Sequence, residues 1–395
     1  MTGPEKKKTP RSVTALRGLS RSAAQSLWRT HQEIRGPSAF LGKNFLPWLW
    51  NYLKVVGTPR WGFPSYQAPA SARPGVFSIP DSCVIALASD WGTGTESAYR
   101  VSDAIRVAQP DITIHLGDVY YSGTADEYRT YFLGDEDWPR GRLRRAGPAS
   151  ALATYALNAN HEMYSGGEGY FGAALPTLGQ ATSYFCLENA NWRILALDTG
   201  YYAKSVPFLE LIVNLIRLHG ANRRWLEEVV FADPTDRRPV ILLSHHQWFS
   251  AFDSEYRRVG EQLTPYLDRV LLWFWGHEHR FAGYAPFGFD GATVRARCIG
   301  HGGMPIELGK TPQRSDRPLV FTDERQAGTV DGEPIGYCGF AVLRLDGPAL
   351  VVEYFDEMRK KLLEERWSAG AGGVNGSVVL GGELKGFRSL NDLVS

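Results

Sequence analysis

Long apolar runs are missing from this chain of 395 residues. No stretch of about 18 consecutive apolar residues occurs, which excludes a plain membrane-spanning helix. Cysteine is scarce as well. Cys83, Cys186, Cys298 and Cys338 lie far apart in apolar, strand-like stretches, and none belongs to a C-x-x-C pair. They read as buried free thiols rather than a disulfide framework or a zinc site, which suits a reducing compartment. No continuous apolar segment follows the basic start MTGPEKKKTPR, so a secretory leader is not expected. These absences point to the cytoplasm. What remains, 44% hydrophobic and 22% charged, is enough for an ordinary globular core.

A formal net charge of +1 conceals an uneven distribution. Residues 1–80 carry 12 Lys or Arg against two acids, Glu5 and Glu33, while the rest of the chain has 31 bases and 40 acids. A basic extension therefore precedes a mildly acidic body. Within it, residues 12–34 fit a helix of poor periodicity. The aromatic segment FLPWLWNYLKVV (45–56) has two readings. It packs on the domain behind it, or it touches a membrane surface with Trp48 and Trp50 at the interface and Lys or Arg near anionic headgroups. The second reading makes the protein peripheral to a membrane. No nucleic-acid reader motif accompanies the charge, so specific nucleic-acid binding is not expected.

From residue 81 the texture changes to short apolar runs alternating with helical stretches. Strands are predicted near 83–88, 112–116, 153–157, 183–187, 192–197, 240–244, 271–275, 293–299, 338–345 and 349–355. Helices fit 97–108, 206–219, 222–231 and 255–268. Such alternation indicates an α/β domain over 81–358 with a largely parallel sheet, and the closing hairpin-like strands add a second sheet. Residues 310–336 read as a long polar stretch, either disordered or a lid over a site. Residues 359–395 read as a flexible tail, because 370–386 hold seven glycines in 17 positions.

Five of the predicted strands run into polar residues able to bind metal. The runs are Ser89-Asp90-Trp91-Gly92, Gly117-Asp118-Val119-Tyr120-Tyr121, Asn158-Ala159-Asn160-His161-Glu162, His245-His246-Gln247 and Gly276-His277-Glu278-His279. Ligands of parallel α/β sheets bind beyond the carboxyl ends of strands. Aspartates, an asparagine and several histidines meeting in one crevice call for cations, and two would occupy nearly all of the donors.

The order SDWG, GDVYY, NHE, SHH, GHEH resembles the five blocks of the calcineurin-like metallophosphoesterases, and among them the purple acid phosphatases. The likeness covers roughly residues 81–355. Gly92 stands where many relatives have a metal-binding histidine. Tyr121, three residues after Asp118, sits where purple acid phosphatases carry a tyrosine. The resemblance implies a β-sandwich of two mixed sheets flanked by helices. It also implies hydrolysis of phosphate monoesters by a hydroxide that two metal ions activate. The first ion would bind Asp90, Asp118, Tyr121 and His279, and the second Asp118, Asn160, His245 and His277. A phenolate suits Fe(III), with Fe(II), Zn(II) or Mn(II) beside it. His161 would protonate the leaving oxygen, Glu162 would tune its orientation, and Glu278 would be a spacer.

The other histidines have blander readings. His115 belongs to the core, His219 to a helix end, His31 to the extension, and His246 supports the site rather than binding metal. His301 lies near the site or in a turn. Asp198 accepts a hydrogen bond behind the site or caps its strand. The family often has a further substrate-facing histidine within a stretch such as 249–260. Here there is none, and Arg257 or Arg258 is a candidate substitute. Ala159 replaces a usual glycine. A phosphodiesterase acting on nucleotides or lipid headgroups is the nearest alternative. A non-catalytic scaffold is disfavoured because all seven ligands are present.

Overall fold

A computed structural model describes residues 55, 58–67, 73–203 and 216–395, apart from 290–291, 305, 307, 310, 331–332 and 371–372. The predicted helix 12–34, the aromatic segment 45–56 apart from Val55, and most of the predicted helix 206–219 lie outside these residues. So do Trp48 and Trp50, the residues expected at a membrane surface.

Two mixed sheets face each other. The first has seven strands, in the order Gly373–Leu380, Lys361–Gly370, Ala349–Asp356, Gly339–Asp346, Ser82–Ala88, Ile112–His115 and Thr154–Ala156. Its last three strands are parallel. The second is ten-stranded, and its centre, Arg193–Ala196, Val240–Leu243, Val270–Trp275 and Ala292–Ile299, is also parallel.

Ile85, Leu87 and Ile114 of the first sheet share one buried core with Ile241, Leu243, Leu272 and Phe274 of the second. Each such side chain contributes about 1.5–3 kcal/mol by leaving water. Strand side chains alternate between faces. Trp273 and Trp275 therefore turn to an outer layer with Trp225, Leu226, Val259 and Leu263 of the covering helices. On the opposite side, Ala98, Val101 and Ile105 of helix Glu96–Ala108 cover Ala86, Ala88 and Val342. The result is the predicted sandwich flanked by helices.

Three boundaries differ from the sequence reading. Val76–Ser78 pairs with Phe185–Glu188, so the domain starts before residue 81. Leu319–Thr322, inside the supposed polar loop, is a buried strand paired with Phe281–Tyr284. The supposed flexible tail forms a hairpin, Lys361–Gly370 with Gly373–Leu380, on the edge of the first sheet. Leu362, Leu363 and Trp367 anchor it in the core. Glycine count misled there, because the alternating apolar residues set the strand.

Candidate metal centre

All five strand ends converge. Ser82–Ala88, Ile112–His115 and Thr154–Ala156 deliver Asp90, Asp118 and Asn160, while Val240–Leu243 and Val270–Trp275 deliver His245, His277 and His279. Close approach of the two sheets' ends requires Gly276. A Cβ there would lie 1.8 Å from Ser89 Oγ and 2.6 Å from Asp90 Oδ2. The backbone turns sharply as each strand ends. Asp90, Asp118, His277 and His279 have φ of 59°, 73°, 66° and 33°. Such non-glycine conformations cost roughly 1–3 kcal/mol each and tend to mark functional sites. The Ala159 methyl fits because it faces Gly117, which has no side chain.

Asp118 sits at the centre. Its Oδ2 is 3.4 Å from His245 Nε2 and 3.2 Å from the Tyr120 hydroxyl, and its Oδ1 accepts the His161 backbone N–H at 3.2 Å. On one side, Asp90 Oδ1 is 3.4 Å from His279 Nε2. On the other, Asn160 Oδ1 lies 3.1 Å from His245 Nε2 and 3.2 Å from His277 Nδ1. Asn160 turns its amide nitrogen away, to the Tyr164 hydroxyl at 3.3 Å. His245 Nδ1 faces the Leu116 carbonyl at 3.0 Å, so that nitrogen carries the hydrogen and Nε2 points inward.

The space is buried and short of positive charge. Burial and the Asp118 carboxylate push Glu162 up to about 8. Burial opposes charge on His245, but Asp118 outweighs it and lifts the imidazole to about 9. Burial and the neighbouring His245 push His277 down to about 4. Two carboxylates, an amide oxygen and three inward-facing imidazole nitrogens are held together only by protons or cations, which is the donor chemistry of a metal site. Among the described residues, two overlapping groups of side chains are compact enough to hold an ion: Asp90, Asp118 and His245, and His245, His246 and His277.

Tyr121 departs from its expected place. The phenol at the carboxylates belongs to Tyr120, whose hydroxyl is 3.0 Å from Asp90 Oδ1 and 2.9 Å from His279 Nε2. Tyr121 instead receives the His161 Nδ1 hydrogen bond on its carbonyl at 2.6 Å, and its own N–H goes to Glu127. Spacing alone does not say which of two adjacent tyrosines faces inward when the segment is neither helix nor strand.

His161 lies next to Asp118. Its Nε2 is 3.8 Å from Asp118 Oδ2 at the partly open rim. Glu162 does not orient it. That carboxylate is fully buried and accepts from Val119 N at 2.8 Å, Asp118 N at 3.2 Å and the Tyr128 hydroxyl at 2.9 Å. It holds the turn that carries Asp118.

Glu278 is more than a spacer, since it bonds Ser250 Oγ at 2.5 Å and Trp275 Nε1 at 3.1 Å. Arg257 does not enter the site. Its side chain is 74% exposed and lies 3.6 Å from Glu255. Tyr256, which the sequence reading passed over, reaches in and places its hydroxyl 2.9 Å from His277 Nε2. His246 is buried beside the site with Nδ1 3.0 Å from Thr199 Oγ1. His115 is buried in the core, His219 caps helix Gly220–Trp225, and His301 stacks on Phe281. Asp198 caps its strand by accepting from Gly200 N and Tyr201 N, and also bonds Asn158 and Ser183. The four cysteines are free and buried.

The calcineurin-like phosphoesterase family matches residues 83–281. Comparison with curated proteins gives no match. Among solved structures, the chain is similar to the purple acid phosphatase of yellow lupin seeds, with 16% identity and a TM-score of 0.48. That match covers 80% of this chain and 56% of the lupin chain. It is also similar to PhoD (14% identity, 81% and 76% covered, TM-score 0.45) and to a dimetal phosphatase of Danio rerio (12%, 76% and 99%, 0.40). The family match extends over half of the sequence and takes in all five strand ends, and the chain belongs to the calcineurin-like phosphoesterase family.

Proposed function

We propose that the protein hydrolyses phosphate monoesters at a pair of metal ions, with Asp118 between them. The observation that carries this reading is the convergence of Asn160 Oδ1, His245 Nε2 and His277 Nδ1 on one side of Asp118, with Asp90, His279 and Tyr120 on the other. The first group would hold a divalent ion such as Fe(II), Zn(II) or Mn(II). The second, with its phenol, would suit Fe(III). When bound, such a pair supplies a nucleophilic hydroxide near neutral pH and neutralises charge on the phosphoryl oxygens.

This chain's own residues do the rest. Glu162 fixes the Asp118 backbone through two N–H bonds. The Tyr121 carbonyl takes the Nδ1 hydrogen of His161 and keeps Nε2 beside Asp118. From there His161 hands a proton to the leaving oxygen, a role worth about 10²–10⁴-fold in rate. The substrate enters past His161 and His279, whose side chains are 14% and 35% exposed.

Metal analysis of the purified protein, with turnover of p-nitrophenyl phosphate and of its bis-ester, tests the reading. Two metals per chain and preference for the monoester are expected. His161→Ala keeps the metals and loses about 10²-fold or more in rate. A wild type that is inactive on both esters after reconstitution with Fe, Zn(II) or Mn(II) would refute the proposal, and preference for the bis-ester would replace it with a phosphodiesterase.

A further inference from the structure

We propose that Tyr256 is a positioning residue for the second metal: with a cation on Nδ1 of His277, its phenol oxygen accepts the Nε2 hydrogen and holds the ring in place. The inference rests on the two-metal reading above. An imidazole has two nitrogens, and the partner of one decides which lone pair the other offers. His245 settles this with a backbone carbonyl, which can only accept. His277 has no backbone carbonyl among its described bonds. Its Nδ1 lies 3.2 Å from Asn160 Oδ1 and its Nε2 lies 2.9 Å from the Tyr256 hydroxyl. A hydrogen on Nδ1 would occupy the direction in which a cation must sit. Without a cation Asn160 Oδ1 accepts that hydrogen; a cation at Nδ1 would displace it to Nε2, where the Tyr256 oxygen accepts it.

The segment that carries Tyr256 is built to hold it. Ser250 Oγ accepts the Phe252 and Asp253 N–H groups at 2.8 Å each, and donates to Glu278 Oε2 at 2.5 Å. Glu278 lies between His277 and His279 in the chain, so the two segments are tied directly. From the other side, Ala251 O accepts Gln313 N at 2.7 Å and Arg314 N at 3.1 Å. Arg314 also bonds the Asp253 carbonyl, and Arg317 Nε binds Glu255 at 2.5 Å. Gln247 Nε2 donates to Ser254 O at 2.8 Å. The Tyr256 ring packs edge-on against His246, with centroids 5.0 Å apart. Three separate stretches of chain thus fix one half-buried phenol over one ligand histidine.

Tyr256→Phe removes only the hydroxyl. Zn(II) titration of chelator-stripped protein by calorimetry, with chelator competition, reads each binding step. Wild type is expected to take two ions. Tyr256→Phe is expected to weaken one step by about 10–100-fold, the usual effect of losing such a partner, and to leave the other step unchanged. Tyr256→Gln, which restores an acceptor oxygen, recovers part of the loss. Long-range ¹⁵N–¹H correlation on histidine-labelled, Zn(II)-loaded protein adds a readout that a purely structural role would not move. His277 should carry its hydrogen on Nε2 in both proteins, and the hydrogen-bonded Nε2–H shift of wild type should be lost in Tyr256→Phe. Unchanged affinities for two ions in Tyr256→Phe would overturn the inference alone. A wild type that binds fewer than two ions would overturn the two-metal reading and this inference with it.

Discussion

The Tyr120 hydroxyl lies 2.9 Å from His279 Nε2, in the place that the resemblance to purple acid phosphatases implies for Tyr121. Burial, reinforced by Asp90 and Asp118, keeps this phenol protonated far above its usual range in the absence of a cation. Ionising it therefore requires a strong Lewis acid such as Fe(III). Iron-loaded protein is expected to show a visible phenolate charge-transfer band that Tyr120→Phe abolishes and Tyr121→Phe preserves. Loss of the band in Tyr121→Phe alone would reassign the phenol.

Glu162 is expected to act on stability and metal binding. Glu162→Gln sets an amide N–H against the Asp118 N–H, or leaves Val119 N without its acceptor. Either costs about 1–3 kcal/mol. Urea unfolding of the metal-free protein should show that loss, and Zn(II) affinity should fall with it. A variant as stable as wild type but slow in turnover would move Glu162 into the chemistry.

Gly276→Ala should be poorly tolerated. The new methyl would lie 1.8 Å from Ser89 Oγ, well inside contact distance, so the ends of the two sheets must part. The expected loss is about 1–3 kcal/mol or more, together with metal binding. Thermal unfolding with and without Zn(II) checks it, and a variant that still gains wild-type stabilisation from Zn(II) contradicts it.

Asp198 gives a pH signature away from the metal ligands. Burial outweighs its bonds to Ser183, Tyr201 and Asn158 and raises the carboxyl from 3.8 to about 6. Between those values the folded state binds more protons than the unfolded state, so this group's contribution falls as pH rises and is lost above about 6. The full effect is up to about 3 kcal/mol. Urea unfolding of metal-free wild type and Asp198→Asn at pH 4 and pH 7 should show the gap moving in the variant's favour as pH rises. A constant gap would contradict the assignment.

The strand ends were legible because each breaks a run of apolar residues with Asp, Asn or His, and the apolar run says where the chain is buried. The strand Val270–Trp275 is the plainest case, with every residue buried. What the sequence hid was side-chain direction in turns without a repeat. The exchange of Tyr120 for Tyr121, the inward reach of Tyr256 and the ties from Glu278 lie in such turns, and Glu162 lies in the five-residue helix Asn160–Tyr164. Short helices such as Ala125–Tyr131 escaped notice because seven residues give too few turns for a clear period. In the C-terminal hairpin, glycine drew attention away from Leu362, Leu363 and Trp367, which decide the fold there.

Anomalous diffraction from crystals soaked in Zn(II) or Mn(II) tests the central claim most directly. Two peaks about 3.5–4 Å apart are expected. The Asp118 carboxylate should lie between them, with Asn160, His245 and His277 around one and Asp90, His279 and Tyr120 around the other. A single peak, or a pair with Asp118 outside both coordination spheres, would contradict the account.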